Sequence, residues 1–328
     1  MSRIPATVLT GFLGSGKSTL LRRVLTETHG RRIAVIENEF GEENIDSEII
    51  VTGGTEQIVR MSNGCVCCSI RDDLRATLLD LSEKRNTGEL QFDQVMIETT
   101  GLADPGPVAQ TFFLDEKIAS RYRPDAILTM VDARHGMDQL NQRWEARRQV
   151  GFADRVFISK ADLVEQEDVR VLSDRVRKMN PRAPQSLAPF GNVPLREVFD
   201  VGGFNLNEEF NADSDGPPQP HVSCAQQHHH DDVKGFVFRS ERSIHGGRFG
   251  QFMNAMINSL GPRLLRYKGI LNMLGSERRV ILQGVHQLMS HDLGSPWGDT
   301  EPRVSKLVFI GIELPNDMIL RSLQQCLV

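Results

Sequence analysis

"TVLTGFLGSGKSTLLRRVL", residues 7–25, decides the fold. Val8 and Leu9 read as part of a short apolar strand. Gly11-Phe12-Leu13-Gly14-Ser15-Gly16-Lys17-Ser18 then fits the pattern G-x-x-x-x-G-K-[ST] in full, with Thr19 directly behind it. A helix follows, carrying Leu20, Leu21, Val24 and Leu25 on one side, and Gly30 is expected to stop it. The chemistry needs this order. Glycines let the backbone curl so that its N–H groups point at phosphate oxygens. The helix aims its positive end at the same place. Lys17 supplies a mobile cation for the outer phosphates, and Ser18 offers a hydroxyl to Mg²⁺. A chance lysine in a glycine-rich turn would not come with strand, loop and helix in register.

Such a loop works with an acidic residue at the end of a later strand. "FDQVMIETTG", residues 92–101, supplies one: Val95, Met96 and Ile97 form a buried type of strand ending at Glu98. Glu98 is placed to hold Mg²⁺ through water or to orient an attacking water. Gly101 can bring its backbone N–H to a γ-phosphate. Taken alone, Glu98 reads equally well as a solvated carboxylate at a strand end.

Two more strands are expected in "AILTMVDA" and "RVFISK". The second runs into Ser159-Lys160-Ala161-Asp162, which resembles the [NT]-K-x-D element that reads guanine. Asp162 would accept hydrogen bonds from N1–H and the exocyclic amine, donors that adenine lacks there. Lys160 is expected along the base. Ser159 stands where asparagine is usual, and its shorter side chain is expected to tie the loop less well.

The chain has 328 residues, which suits two domains. It is 39% hydrophobic and 25% charged, with a formal net charge of -5. No basic footprint for nucleic acid shows, and no apolar run is long enough for a membrane span. The start of the sequence lacks the pattern of a secretory signal, so a cytoplasmic location is expected. Thiols there stay reduced. "NGCVCCS", residues 63–69, nevertheless packs Cys65, Cys67 and Cys68 into four positions of a chain with five cysteines. Metal or redox chemistry accounts for such clustering better than structural disulfides do.

The segments TGFLGSGKSTLL, VIENEFGE, NGCVCCS, IETTGLADPGP and SKAD, in this order, resemble the CobW/YjiA-like P-loop GTPases, whose wider group includes the metallochaperone GTPases UreG and HypB. The resemblance extends through "LLRYKGILNM" and "VILQGVHQ" and so covers nearly the whole chain. It implies GTP hydrolysis with Mg²⁺, linked to handling Zn²⁺ or Co²⁺ for an unidentified client metalloprotein. Cys65 and Cys68 have the C-x₂-C spacing of a zinc knuckle, but no second pair completes a four-ligand structural site. Oxygen ligands should fill it, with Glu37 and Glu42 the nearest carboxylates by motif. Redox pairing of Cys67 with Cys68 would be strained, and Cys65 alone also reads as a core residue. Two other functions stay open. A small-molecule kinase is disfavoured by Asp162. A metal buffer or sensor would bind GTP with little turnover. The metal, the client and the oligomeric state, a homo-oligomer included, are not given.

The fold class expected is α/β, a parallel P-loop sheet flanked by helices at residues 1–200, then a linker at 201–232 and a smaller α+β domain at 233–328. Loop composition already begins at "KMNPRAP" and runs through "SDGPPQPH". The linker carries His228, His229 and His230, which would collect metal weakly or simply be polar chain. In the last segment, Phe249, Phe252, Met253, Met256, Ile257 and Leu260 trace one apolar helix face between strands, in the order β-α-β-β-β-α.

Overall fold

The computed structural model describes residues 3–27, 30–37, 47–51, 57–61, 70–204, 231–298 and 300–328. The cysteine cluster, Glu42 and the histidine tract lie outside these residues. The chain divides into two compact units, one holding Met1–Val176 with Ala183–Phe204, the other Arg177–Arg182 with Asn205–Val328.

The first unit starts with β1 (Ile4–Gly11) and α1 (Lys17–Thr26), then β2 (Ile33–Glu37), β3 (Ser47–Val51) and β4 (Gln57–Met61). Next come α2 (Ile70–Thr87), β5 (Gln94–Glu98), α3 (Pro105–Leu114), α4 (Glu116–Arg121) and β6 (Tyr122–Asp132). Helices α5 (Gly136–Gln142) and α6 (Trp144–Phe152), strand β7 (Arg155–Ser159), α7 (Gln166–Met179) and β8 (Gln185–Ala188) follow. The sheet order is β4-β3-β2-β5-β1-β6-β7-β8. From β2 to β8 every neighbouring pair is parallel, while β3 and β4 form an antiparallel extension at one edge. The central strands are buried on both faces, as parallel strands under helices must be. On one side Leu20, Leu21 and Val24 of α1 pack on Leu9, Val35, Met96, Leu128 and Phe157.

Two details depart from the sequence reading. Helix α1 ends at Thr26, before Gly30, because its last N–H bond closes from Glu27 to the Arg23 carbonyl at an extended cap. The stretch after "KMNPRAP" is not all linker. Gln185–Ala188 adds a parallel strand to β7, and residues 189–204 fold back on this unit.

That return is fixed by Asp125, which is fully buried on β6. Its carboxylate accepts from the backbone N–H of Val201 at 3.3 Å and of Gly202 at 3.1 Å. Burial pushes its pKa up, and those two hydrogen bonds pull the other way. Asp125→Ala strands buried donors. It should cost about 2–3 kcal/mol in urea unfolding; an unchanged midpoint would show that the return is held by packing alone.

The second unit contains β9 (Val233–Ser240), α8 (Gly246–Leu260), β10 (Leu264–Leu271), β11 (Arg278–Val285), β12 (Leu288–Pro296), β13 (Ser305–Ile312) and α9 (Asn316–Gln325). Its antiparallel sheet runs β12-β11-β10-β13-β9. Phe249, Met253, Met256, Ile257 and Leu260 of α8 join Ile319 and Leu323 of α9 against Tyr267, Leu282, Leu307 and Phe309. Cys326 is buried in the same core. The sequence reading ran β11 and β12 together; the structure turns the chain at His286, whose φ is 52°.

Candidate active site

The phosphate loop is held open by three glycines. Gly11, Gly14 and Gly16 have φ of 142°, 73° and 94°, in or near the region that penalises a Cβ. At Gly11 a Cβ would also lie 2.4 Å from the Met130 carbonyl oxygen. Gly16 caps α1 without any side-chain cap, so the first-turn N–H groups of Lys17, Ser18 and Thr19 have no helical partner. Gly14, Ser18 and Thr19 are exposed, and Lys17 is buried. Lys17 Nζ donates to the carbonyls of Gly11 at 2.8 Å and Phe12 at 3.2 Å. Burial lowers its pKa from the ordinary lysine value, and the Glu98 charge opposes that. Leu13 is half exposed at the tip.

Glu98 ends β5 beside β1, with Leu9 as its register partner. Ser18 Oγ donates to Glu98 Oε1 at 3.0 Å. A cation, a hydroxyl and a carboxylate thus meet at the uncapped N-terminus of α1. This set fits both groups that a P-loop takes. The N–H groups and Lys17 suit phosphate oxygens, and the oxygens of Ser18 and Glu98 suit Mg²⁺.

The loop after Glu98 is clamped from two sides. Thr99 N–H donates to the Leu9 carbonyl at 2.9 Å and Thr99 Oγ1 to Thr10 Oγ1 at 2.8 Å. Gly101 presses on the phosphate loop so closely that a Cβ would lie 2.6 Å from Leu13 N. From α6, buried Gln149 donates through Nε2 to the carbonyls of Gly101 at 3.1 Å and Ala103 at 3.0 Å. Sequence reading missed Gln149. It lies 48 positions from Gly101 in an ordinary amphipathic helix, and only the packing of α6 brings the two together.

Toward the other edge of the sheet, Ser159 ties its loop despite its short side chain. Its Oγ donates to the Ser15 carbonyl at 2.7 Å, which fastens β7 to the phosphate loop. Lys160 sits at φ 56°, and its ammonium pairs with Asp132 Oδ2 at 2.7 Å. Asp132 is buried and also accepts from the N–H of Arg134 at 2.8 Å. It too was missed, reading only as the end of a strand. Asp162 is exposed in the turn Ala161–Leu163.

Glu37 ends β2 and is the register partner of Glu98 on β5. Parallel neighbours lie about 4.8 Å apart, so the two carboxylates leave the sheet side by side. Among the described residues no three His, Cys, Asp or Glu side chains group as metal ligands. Cys65, Cys67, Cys68 and Glu42 lie outside them.

Residues 5–186 match the family described as the CobW/HypB/UreG nucleotide-binding domain, and residues 233–327 match the cobalamin synthesis protein cobW C-terminal domain. The chain belongs to the CobW/HypB/UreG family. Over 319 residues it is 41% identical to the "Zinc chaperone YjiA" of Escherichia coli, covering 97% of each chain. It is 28% identical to the "Zinc-regulated GTPase metalloprotein activator 1" of Dictyostelium discoideum, covering 99% of this chain and 80% of that one. The crystal structure of the Zn(II)-bound YjiA GTPase from E. coli matches this CobW-family chain with a TM-score of 0.79 and 38% identity, covering 99% of both. The fold is therefore a P-loop parallel sheet plus a separate antiparallel C-terminal domain. Among the described residues no helix is long and apolar enough to cross a membrane.

Proposed function

We propose that the chain is a GTP-hydrolysing metallochaperone, in which the state of the nucleotide at the phosphate loop controls a metal site. The observation that carries this is the register pair Glu98 and Glu37. One carboxylate is bonded to the Ser18 hydroxyl of the phosphate loop, and the other lies immediately before the segment leading to the cysteine cluster. The names of its relatives, zinc chaperone and zinc-regulated GTPase, support GTP and zinc as the pair.

In this reading the N–H groups of Gly14 and of Gly16 to Thr19, with the Lys17 ammonium, hold the β- and γ-phosphates. Ser18 and Glu98 would hold Mg²⁺, which when bound neutralises charge on the phosphate oxygens. Gly101 presents its N–H to the γ-phosphate, held in place by Gln149. Glu98 either holds that Mg²⁺ through water or orients the water that attacks phosphorus as the bond to the β–γ bridging oxygen breaks. Asp162 reads guanine and Lys160 lies along the base. Zn²⁺ is the cargo, held by thiolate from the cluster Cys65, Cys67 and Cys68 with Glu37 or Glu42 as a further ligand, and passed to a client metalloprotein in the cytoplasm. A mixed, incomplete ligand set exchanges metal more readily than a closed thiolate cage, which suits delivery.

The test is Zn²⁺ affinity measured with a GTP analogue, with GDP and without nucleotide. A difference of about 5–150-fold is expected between the nucleotide states, with metal shifting nucleotide affinity by the same factor. Identical affinities would leave two independent sites on one chain. The base is tested separately. Asp162→Asn reverses an acceptor to a donor, so GTP affinity should fall about 10²-fold or more while xanthosine triphosphate gains. Equal use of ATP and GTP by the wild type would refute the guanine assignment.

A further inference from the structure

Phe190 is 80% exposed, more than any other large apolar side chain among the described residues. It also holds a left-handed backbone, with φ 51° and ψ 32°, inside the turn Pro189–Gly191. A β-carbon is disfavoured there, and the usual occupants are glycine and asparagine. Gly191 follows with φ 73°, which glycine adopts freely, so the one strained position of the turn falls on an aromatic residue that buries little. Stability gives no reason for it. Strain of this kind, where observed, points toward function.

The position of the turn supplies the reason. Strand β8 ends level with β7, Ala188 being the register partner of Ser159. The turn of Phe190 and the turn of Asp162 therefore leave the same end of neighbouring strands. On its other side the turn abuts α1: a Cβ on Gly191 would lie 3.1 Å from Leu20 N and 3.3 Å from the Thr19 carbonyl carbon. Phe190 thus stands between the start of the phosphate helix and the loop that carries Asp162. Ligands of open α/β sheets sit outside these carboxyl ends. A nucleotide with phosphates at Gly14–Thr19 and its base edge at Asp162 must pass this turn.

We infer that Phe190 is a base-stacking residue, its ring forming one wall of the guanine slot while Asp162 reads the edge. This rests on the guanine-nucleotide reading above. Stacking uses the π-face that every base has, so Phe190 supplies affinity and Asp162 supplies choice. The left-handed turn holds the ring out in solvent before the base arrives.

The experiment uses the full chain with Mg²⁺ and measures binding of GDP, inosine diphosphate and pyrophosphate to wild type, Phe190→Ala and Phe190→Trp. Phe190→Ala should weaken GDP and inosine diphosphate by the same factor, about tenfold. It should leave pyrophosphate binding and thermal stability unchanged. Phe190→Trp should keep GDP affinity within about threefold, as the face of the ring is preserved. Equal GDP affinity in wild type and Phe190→Ala would overturn the stacking role and leave the guanine reading standing. A matching loss of pyrophosphate would overturn it too, by showing a collapsed loop. No GDP binding by the wild type would overturn both.

Discussion

Lys17→Ala is expected to lower GTP turnover by about 10²–10³-fold, as removal of one preorganised charge donor does elsewhere. The ammonium is already at the mouth of the loop, bonded to the Gly11 and Phe12 carbonyls. Burial makes its charged form costly before phosphate arrives, and a polyphosphate repays that cost. Alanine removes the cation and leaves Ser18 and Glu98 in place. Steady-state hydrolysis at saturating GTP, with thermal melting to confirm the fold, measures the effect. Turnover within about threefold of wild type would mean that Lys17 serves only to brace the two carbonyls.

Joint replacement of Cys65, Cys67 and Cys68 by serine should weaken Zn²⁺ binding by more than about 100-fold. Loss of mere supporting contacts at metal sites already costs 10–100-fold, and ligand loss costs more. Co²⁺ provides the readout, because a thiolate ligand gives an ultraviolet charge-transfer band that should vanish in the variant. Nucleotide affinity without metal should stay unchanged. Retained tight binding would move the site to His228, His229 and His230. A loss confined to one nucleotide state would reveal ligands exchanged during the cycle.

What could be read from the sequence, and what could not, follows from how local each signal is. The phosphate loop was legible because its glycines, lysine and serine are contiguous, and Glu98 because an apolar run delivers it. Strand β8 was not: "QSLA" is short and polar, and it pairs on one side only, at the sheet edge. Strand β12 is also an edge strand, and the turn before it uses His286 at positive φ where a hairpin usually signals with Asn-Gly or Asp-Gly. The grip of Ser159 on Ser15 spans 144 positions and depends on strand order, which no motif encodes. Gln149 and Asp132 were invisible for the same reason. Glu37 was named as a carboxylate near the cysteines by motif, yet its pairing with Glu98 came only from sheet register.

The β3–β4 extension has a modular consequence. Strands β2 and β5 are direct parallel neighbours, yet between them in sequence the chain adds the antiparallel pair β3 and β4 on the outer side of β2. Nothing in the β2–β5–β1 ladder depends on that pair for its own hydrogen bonds. In sequence, residues 38–69, which include the cysteines, are an insertion between the end of β2 at Glu37 and the start of α2 at Ile70. Its length can drift without rethreading the phosphate loop or the strand that carries Glu98. In the proposed reading, a segment exchanged between relatives at those two joints would bring its own metal preference, and with it a different coupling to the nucleotide.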